Sequence, residues 1–216
     1  MVGRVDGVSR LLSEWVLTLR SVAVGLTLGL FVSACARAGG ETRSSSAAAV
    51  VDSVRSRDEE LQRFRHGAPA PTGLDNSAPS MEVLLRRFVA AVERADTTAL
   101  LEMALSRDEF GWLYYPTSRL GSPPYDLSPG LYWYTVNSNG RTGLGRTLQD
   151  YGGRPLGFVR YACPTTPSIE GENWIYDPCE VTLVSDTGDT LSARLFGPIV
   201  ERHGQFKFLN FASSFD

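Results

Sequence analysis

The chain has 216 residues, of which 43% are hydrophobic and 21% charged, and its formal net charge is -3. This composition is typical of a soluble globular protein, and the length allows one buried core with appendages. The mild acidity, without a basic cluster interleaved with aromatic residues, argues against nucleic-acid binding. The two histidines, His66 and His203, have no metal-ligating neighbours at suitable spacing. No metal site or cofactor is therefore predicted.

The N-terminus carries a targeting signal. Residues 21–32 form an uncharged, mostly apolar run that follows three arginines. The run has the size of a signal-peptide core and is shorter than the roughly 20 residues of a membrane span. It ends in Val32-Ser33-Ala34-Cys35. This ending resembles the lipobox of bacterial lipoproteins, in which an aliphatic residue and two small residues precede a cysteine.

The lipobox resemblance implies that residues 1–34 are removed as a signal peptide and that Cys35 carries the lipid. Two or three acyl chains would hold the protein firmly on a membrane. Because Ala36 is not the aspartate that retains many lipoproteins at the inner membrane, we expect the periplasmic side of the outer membrane in a diderm cell. The alternative is an uncleaved anchor helix, which Arg20 in mid-span disfavours.

Residues 35–79 are predicted to be a tether. Residues 36–49 are small or polar and have little to bury. Val50, Val51, Val54, Leu61 and Phe64 then recur at helical spacing, which predicts a short amphipathic helix. A linker rich in proline and glycine follows over 67–79. We expect this whole segment to be dispensable for folding, with the globular domain spanning 80–216.

Four N-cap signals predict four helices in the first half of that domain. The capping residues are Ser80, Asp96, Ser106 and Ser128. Each side-chain oxygen can accept a backbone N–H of the first turn. Ser106 also forms a capping box with Glu109. Ser128 precedes a proline suited to the first helical position. The helix that follows should reach about Tyr151, either continuously or with an interruption at Asn139-Gly140.

The second half of the domain is rich in β-strand patterns. The predicted strands are 156–163, 174–185, 189–200 and 205–213. Hairpin turns are predicted at 186–189 and 203–205, and Gly197-Pro198 predicts a bulge or bend. Helices followed by a meander of strands indicate an α+β fold, in which N-terminal helices pack on a curved antiparallel sheet of about four strands.

The order of elements resembles the nuclear transport factor 2-like, or cystatin-like, superfamily of cone-shaped α+β domains. The likeness is carried by residues 83–101, where a long helix closes on a turn at Asp96 and leads to a shorter helix. It extends over about 80–215, with 191–196 and 206–211 as the closing strands. The resemblance implies a pocket between the helices and the concave face of the sheet. Fold-level likeness does not carry a function.

Cys163 and Cys179 are predicted to form a disulfide. Because Cys35 is consumed by the lipid, they are an even pair in an oxidising compartment. Both fall in β-rich segments that we interpret as consecutive antiparallel strands, so the two side chains can face each other. No metal-ligating pair accompanies them, which argues against zinc.

An aromatic cluster is the candidate pocket of the domain. Its residues are Trp112, Tyr114, Tyr115, Asp126 and Trp133. Aromatic walls with a few polar tips suit an apolar or amphipathic ligand. The alternative interpretation, which we favour, is that these rings pack helices against the sheet.

The sequence therefore predicts a membrane-anchored, exported lipoprotein that binds a small apolar ligand or an envelope protein, and it assigns no catalytic residue. The alternative is an enzyme of the isomerase, cyclase or hydratase type. In that case Asp126 or Glu109 would be the base, and Tyr114 or Tyr115 would donate to the oxyanion.

Overall fold

The computed structural model of the protein describes residues 55–211. Its helices are α1 (Arg57–Arg65), α2 (Met81–Glu93), α3 (Thr97–Glu102), α4 (Arg107–Glu109) and α5 (Pro129–Tyr151). After α4, a π-helical turn (Phe110–Tyr114) and a 3-10 turn (Tyr115–Thr117) follow directly. The strands are β1 (Leu156–Ala162), β2 (Ser168–Glu170), β3 (Asn173–Tyr176), β4 (Glu180–Ser185), β5 (Thr190–Ala193), β6 (Ile199–Arg202) and β7 (Gln205–Phe208).

The predicted α+β class is confirmed, since helices come first and the strands that follow pair antiparallel. The strands form two sheets rather than one sheet of about four strands. A three-stranded sheet has the order β1-β4-β5, and a four-stranded sheet has the order β2-β3-β6-β7. The chain therefore leaves the three-stranded sheet after β1, forms β2 and β3 of the four-stranded sheet, and returns to the three-stranded sheet with β4.

Two of the predicted strands are each divided between the sheets. The segment 174–185 breaks at Asp177-Pro178 into β3 and β4, and the segment 189–200 breaks at Gly197-Pro198 into β5 and β6. Proline has no N–H to donate to a strand ladder, so the chain can leave one sheet at each proline. The predicted hairpin at His203-Gly204 is present, with φ of 51° and 75°, the left-handed values of a two-residue hairpin turn.

The predicted helix caps are confirmed at all four positions. Ser80 Oγ accepts from Val83 N at 3.2 Å, and Asp96 Oδ1 accepts from Ala99 N at 3.0 Å. Ser106 and Glu109 form the capping box.

Helix α5 runs without interruption from Pro129 to Tyr151, behind its Ser128 cap. Gly140 at its centre allows a close crossing, because an added Cβ there would lie 3.1 Å from Asn210 Cβ.

Two hydrophobic cores lie on opposite faces of the four-stranded sheet. Neighbouring residues of β6 show this: Ile199 belongs to the first core and Val200 to the second. The first core joins both sheets to α2, α3 and the C-terminal half of α5. The second core joins the sheet to α1, the π-helical turn and the N-terminal half of α5. Helix α5 therefore contributes side chains to both cores.

The predicted start of the globular domain near Ser80 is corrected by helix α1. Leu61 and Phe64 are buried in the second core, and Ala78 pairs with Phe206 of β7 through two backbone hydrogen bonds. Residues 57–79 thus pack as part of the domain instead of forming a tether. The predicted signal peptide, Cys35 and the rest of the tether up to residue 54 lie outside the described residues.

The predicted disulfide between Cys163 and Cys179 is present, with the two Cα atoms 4.3 Å apart. The strands that bear it are neighbours in the sheet but do not form a simple hairpin. Cys163 follows the last pair of the β1–β4 ladder, Ala162 with Glu180, so the two cysteines continue its register. The hairpin of β2 and β3 is inserted between them and belongs to the other sheet.

Candidate functional site

The five residues of the predicted pocket differ in their surroundings. Tyr114 and Tyr115 are buried in the second core, and Trp133 packs against its edge. Asp126 is exposed on the loop before α5. Trp112 is partly buried, and the Arg65 guanidinium stacks on its ring at 4.1 Å. Tyr114, Tyr115 and Trp133 therefore contribute to helix–sheet packing, whereas Trp112 and Asp126 are not part of that core.

The side chain that fills this aromatic cluster comes from α1. The Phe64 ring meets the Phe110 ring edge to face, with the centroids 5.9 Å apart. Phe110 in turn packs edge to face on Tyr132 at 5.2 Å. A Cβ on Gly111 would lie 2.8 Å from Phe64, so the glycine is what allows the ring to enter so deeply. The cluster is therefore closed by the chain's own Phe64.

Arginine side chains hold α1 in this position. Arg57 donates to the carbonyls of Gly121 and Pro116, and Arg65 Nε donates to the carbonyl of Gly111 at 2.8 Å. Arg107 stacks on the Phe64 ring at 4.2 Å. These contacts satisfy carbonyls of the irregular chain after α4, which lacks regular helical partners for them.

Glu109, proposed above as a catalytic base, is instead a structural anion. Its carboxylate is 1% exposed and pairs with Lys207 Nζ at 2.9 Å, while Lys207 is itself 3% exposed. The carboxylate also accepts the backbone N–H groups of Asp75 and Ser106. All its hydrogen-bonding capacity is used within the protein, which leaves none for a substrate proton. Lys207 is the single lysine of the chain.

Glu170 is a carboxyl group that the sequence analysis did not single out. It ends β2, and burial raises its pKa above the usual value. One of its oxygens, Oε2, is buried with no hydrogen-bond partner among the described residues. The nearby Tyr114 and Tyr132 hydroxyls are 3.1 Å apart, and burial raises the pKa of Tyr132 to about 12. No sequence signal marks Glu170, because only folding brings β2 beside the π-helical turn.

An open groove lies elsewhere, at the junction of the two sheets. Its cavity is about 660 Å³, within the range typical of small-ligand sites. The lining residues are Ser80, Met81, Tyr161, Ala162, Cys163, Pro164, Thr165, Tyr176 and Phe206. Three aromatic rings line the groove, and polar and apolar atoms contribute about equally to its exposed surface.

The disulfide fixes one wall of this groove. Cys163 is a lining residue, and its Sγ lies 3.3 Å from Met81 Sδ at the start of α2. The bond ties the end of β1, which carries Tyr161, to the chain that leaves β3 after Tyr176. The two tyrosines on opposite sheets are thereby held near each other.

Glu201 lies next to the groove, in contact with the lining residue Tyr176. The Tyr176 hydroxyl donates to Glu201 Oε2 at 3.3 Å. Burial raises the pKa of Tyr176, and the Glu201 carboxylate raises it further. At neutral pH this hydroxyl is therefore protonated and serves as a donor.

The sequence analysis missed the groove because its residues read as ordinary strand positions. Tyr161, Tyr176 and Phe206 lie on three strands of two sheets, and their proximity depends on the division of 174–185. The cleft that includes Trp133, between α5 and residues 209–211, is much smaller at about 40 Å³. Within residues 55–211, no cluster of three or more His, Cys, Asp or Glu side chains has the arrangement of a metal site.

Comparisons with protein-family models, curated proteins and solved structures find no match to this chain. Within the described part of the chain, none of the helices combines the length and apolarity that a membrane span requires.

Proposed function

We propose that the protein is an exported, lipid-anchored binding protein that holds a small ligand in the groove between its two sheets. The single observation that carries this proposal is the open aromatic groove of about 660 Å³. A groove with aromatic walls and a few hydroxyl tips gives a ligand apolar contact area and fixes its orientation with few hydrogen bonds.

Export is supported by the disulfide that forms part of the groove. Cys163 and Cys179 are bonded, and such bonds persist in oxidising compartments outside the cytosol. The lipobox at Cys35 supports attachment to a membrane, at the periplasmic face of the outer membrane in a diderm cell. Cys35→Ala should abolish both labelling by a fatty-acid analogue and retention in the membrane fraction. A variant that still labels and still sediments with membranes contradicts the anchor.

Ligand binding is tested by native mass spectrometry of the full-length protein extracted from membranes in detergent. We expect a co-purifying small molecule that is lost in Tyr161→Ala, since Tyr161 forms one aromatic wall. Tyr134→Ala is the matched control, because Tyr134 is 68% exposed on α5 and is not a lining residue of the groove. A molecule retained equally by both variants would place binding outside the groove, and an empty protein would contradict the proposal.

A second candidate function is proton-transfer catalysis of the isomerase, cyclase or hydratase type. It is favoured by Glu170, whose carboxyl has a raised pKa and lies near the Tyr114 hydroxyl. A carboxyl and a tyrosine of this kind are the groups that such reactions use. Because Tyr114 is 4% exposed, this function requires the second core to open to a substrate. Hydrogen exchange at the π-helical turn on the time scale of seconds would support it; protection equal to that of α2 would contradict it.

A further inference from the structure

The Glu201 carboxylate, which lies beside the groove, shares its face of the sheet with aromatic side chains. In the β6 ladder, Glu201 lies directly opposite Trp174 on one side and Phe206 on the other. Directly opposed residues of an antiparallel pair point to the same face, and so do residues two apart along a strand. Tyr176 is two residues from Trp174, so Trp174, Tyr176 and Phe206 share the face of Glu201. The side chains of Trp174, Tyr176 and Phe206 thus lie on the same face of the sheet as the Glu201 carboxylate.

This carboxylate has neutral partners. Its oxygens accept from the Tyr176 hydroxyl and from the Gly204 N–H, each at 3.3 Å. Within residues 55–211, no arginine, lysine or histidine forms an ion pair with it. The neighbouring Arg202 points to the opposite face, where it contacts Glu172 and Asn173. Glu201 is therefore a half-buried anion without a counter-charge from the described chain.

The rings remain accessible from the groove and its rim. Trp174 is 46% exposed, and Tyr176 and Phe206 line the groove. Helix α2 begins after Ser80, another lining residue, and Glu82 in its first turn offsets the positive end of the helix dipole.

We infer that the Glu201 end of the groove binds a small organic cation through an alkylammonium group. The π faces of the three rings attract a cation, and the cation would supply the counter-charge that Glu201 lacks among residues 55–211. This inference deepens the proposed function and rests on it: the groove holds a ligand, and the ligand carries a fixed or protonated amine. Alkyl parts of the ligand would lie toward Tyr161, Met81 and the disulfide.

The test compares choline with its neutral isostere 3,3-dimethylbutan-1-ol, by titration calorimetry on the detergent-extracted full-length protein. Cation–π contacts are worth about 1–2 kcal/mol when partly desolvated, so choline should bind roughly 5- to 30-fold more tightly than the alcohol. Glu201→Gln should remove most of that preference and leave the affinity for the alcohol unchanged. The glutamine keeps an acceptor for Tyr176, so the fold is preserved.

Glu172→Gln is the matched control, because this carboxylate contacts Arg202 away from the groove. It should leave the choline preference intact, whereas Trp174→Ala should reduce it. Equal affinity for choline and the alcohol would overturn the cation inference and leave the groove as a neutral site. No binding of either probe to a protein that still co-purifies with a molecule would overturn the inference as well. A protein that is empty in the mass-spectrometry experiment contradicts the proposed function itself.

Discussion

The protein contains two aromatic regions that differ in what occupies them. In the second core, Phe110, Tyr114 and Tyr132 are covered by Phe64 from the chain's own helix α1. In the groove between the sheets, Tyr176 and other rings line a space of about 660 Å³ that no described side chain fills. A dense set of aromatic residues in sequence thus forms a packed interior, while rings scattered over three strands form the open site. The distinction depends on whether a neighbouring segment closes over the rings.

The two regions also differ in how they handle charge. The second core adjoins the buried pair of Glu109 and Lys207, in which each ion has its counter-charge. Beside the groove, Glu201 accepts hydrogen bonds from neutral donors. A paired buried charge has its counter-charge within the fold, whereas an unpaired one beside a groove is available to a ligand.

The largest effect is expected from Lys207→Met, which leaves Glu109 buried without a cation. Removing one partner of a buried pair typically costs about 3–5 kcal/mol of the free energy of unfolding. Chemical denaturation measures this loss. The double variant Lys207→Met/Glu109→Gln should recover much of it, because the glutamine is neutral and still accepts backbone N–H groups. A single variant within about 1 kcal/mol of the natural protein would show that the pair is not closed to water.

Phe64→Ala should come next, with a loss of about 3 kcal/mol, because it removes a buried ring that covers Phe110. The control is Leu101→Ala on α3, whose side chain is 40% exposed and should cost less than about 1 kcal/mol. Thermal and denaturant unfolding give both values. If Phe64→Ala lowers the free energy of unfolding no more than the control does, α1 is a tether and other residues cover the second core.

Alkaline pH should lower the free energy of unfolding, because the hydroxyl of Tyr132 in the second core then loses its proton. Its folded-state pKa of about 12 lies above the unfolded value near 10, so the protonated hydroxyl favours the folded state. The stabilisation is complete below pH 10 and is lost as the pH rises toward 12, by about 2 kcal/mol. Tyr132→Phe should remove this part of the pH dependence, as followed by denaturation at pH 8 and pH 11.5. Identical pH profiles for both proteins would contradict the burial of this hydroxyl.

The smallest of these effects is expected from Gly111→Ala, at about 1–2 kcal/mol. The new Cβ would lie 2.8 Å from the Phe64 ring and force it outward. In a Phe64→Ala background the same change should be neutral or slightly stabilising, because alanine favours helical backbone more than glycine does. The interaction free energy of this double-mutant cycle isolates the contact. Additive effects would mean that Phe64 does not pack on Gly111.

Local signals made much of the fold predictable. The caps at Ser80, Asp96 and Ser106 depend on hydrogen bonds within a few residues, and so does the turn at His203-Gly204. The antiparallel α+β class follows from the order of such elements. The disulfide was predictable from the number of cysteines and the predicted compartment, although the strands that bear it do not form the simple hairpin that was expected.

Non-local features were not predictable. Helix α1 buries two apolar side chains on an otherwise charged segment, so its composition suggested an independent helix. The strand pattern continues on both sides of Asp177-Pro178, so the sequence did not indicate that β3 and β4 belong to different sheets. The groove exists because that change brings Tyr161 near Tyr176, and alternation along a strand gives no information on which sheet a strand joins.

The central claim is that the ligand site is the groove between the sheets and not the aromatic cluster of the second core. Crystals of the protein soaked with a panel of small neutral and amine-bearing fragments test it most directly. We expect fragments to accumulate against Tyr161, Tyr176 and Phe206, with the amines nearest Glu201, and Phe64 to remain in place. Fragments that displace Phe64 and bind against Tyr114 and Tyr132, with the groove empty, would contradict the account.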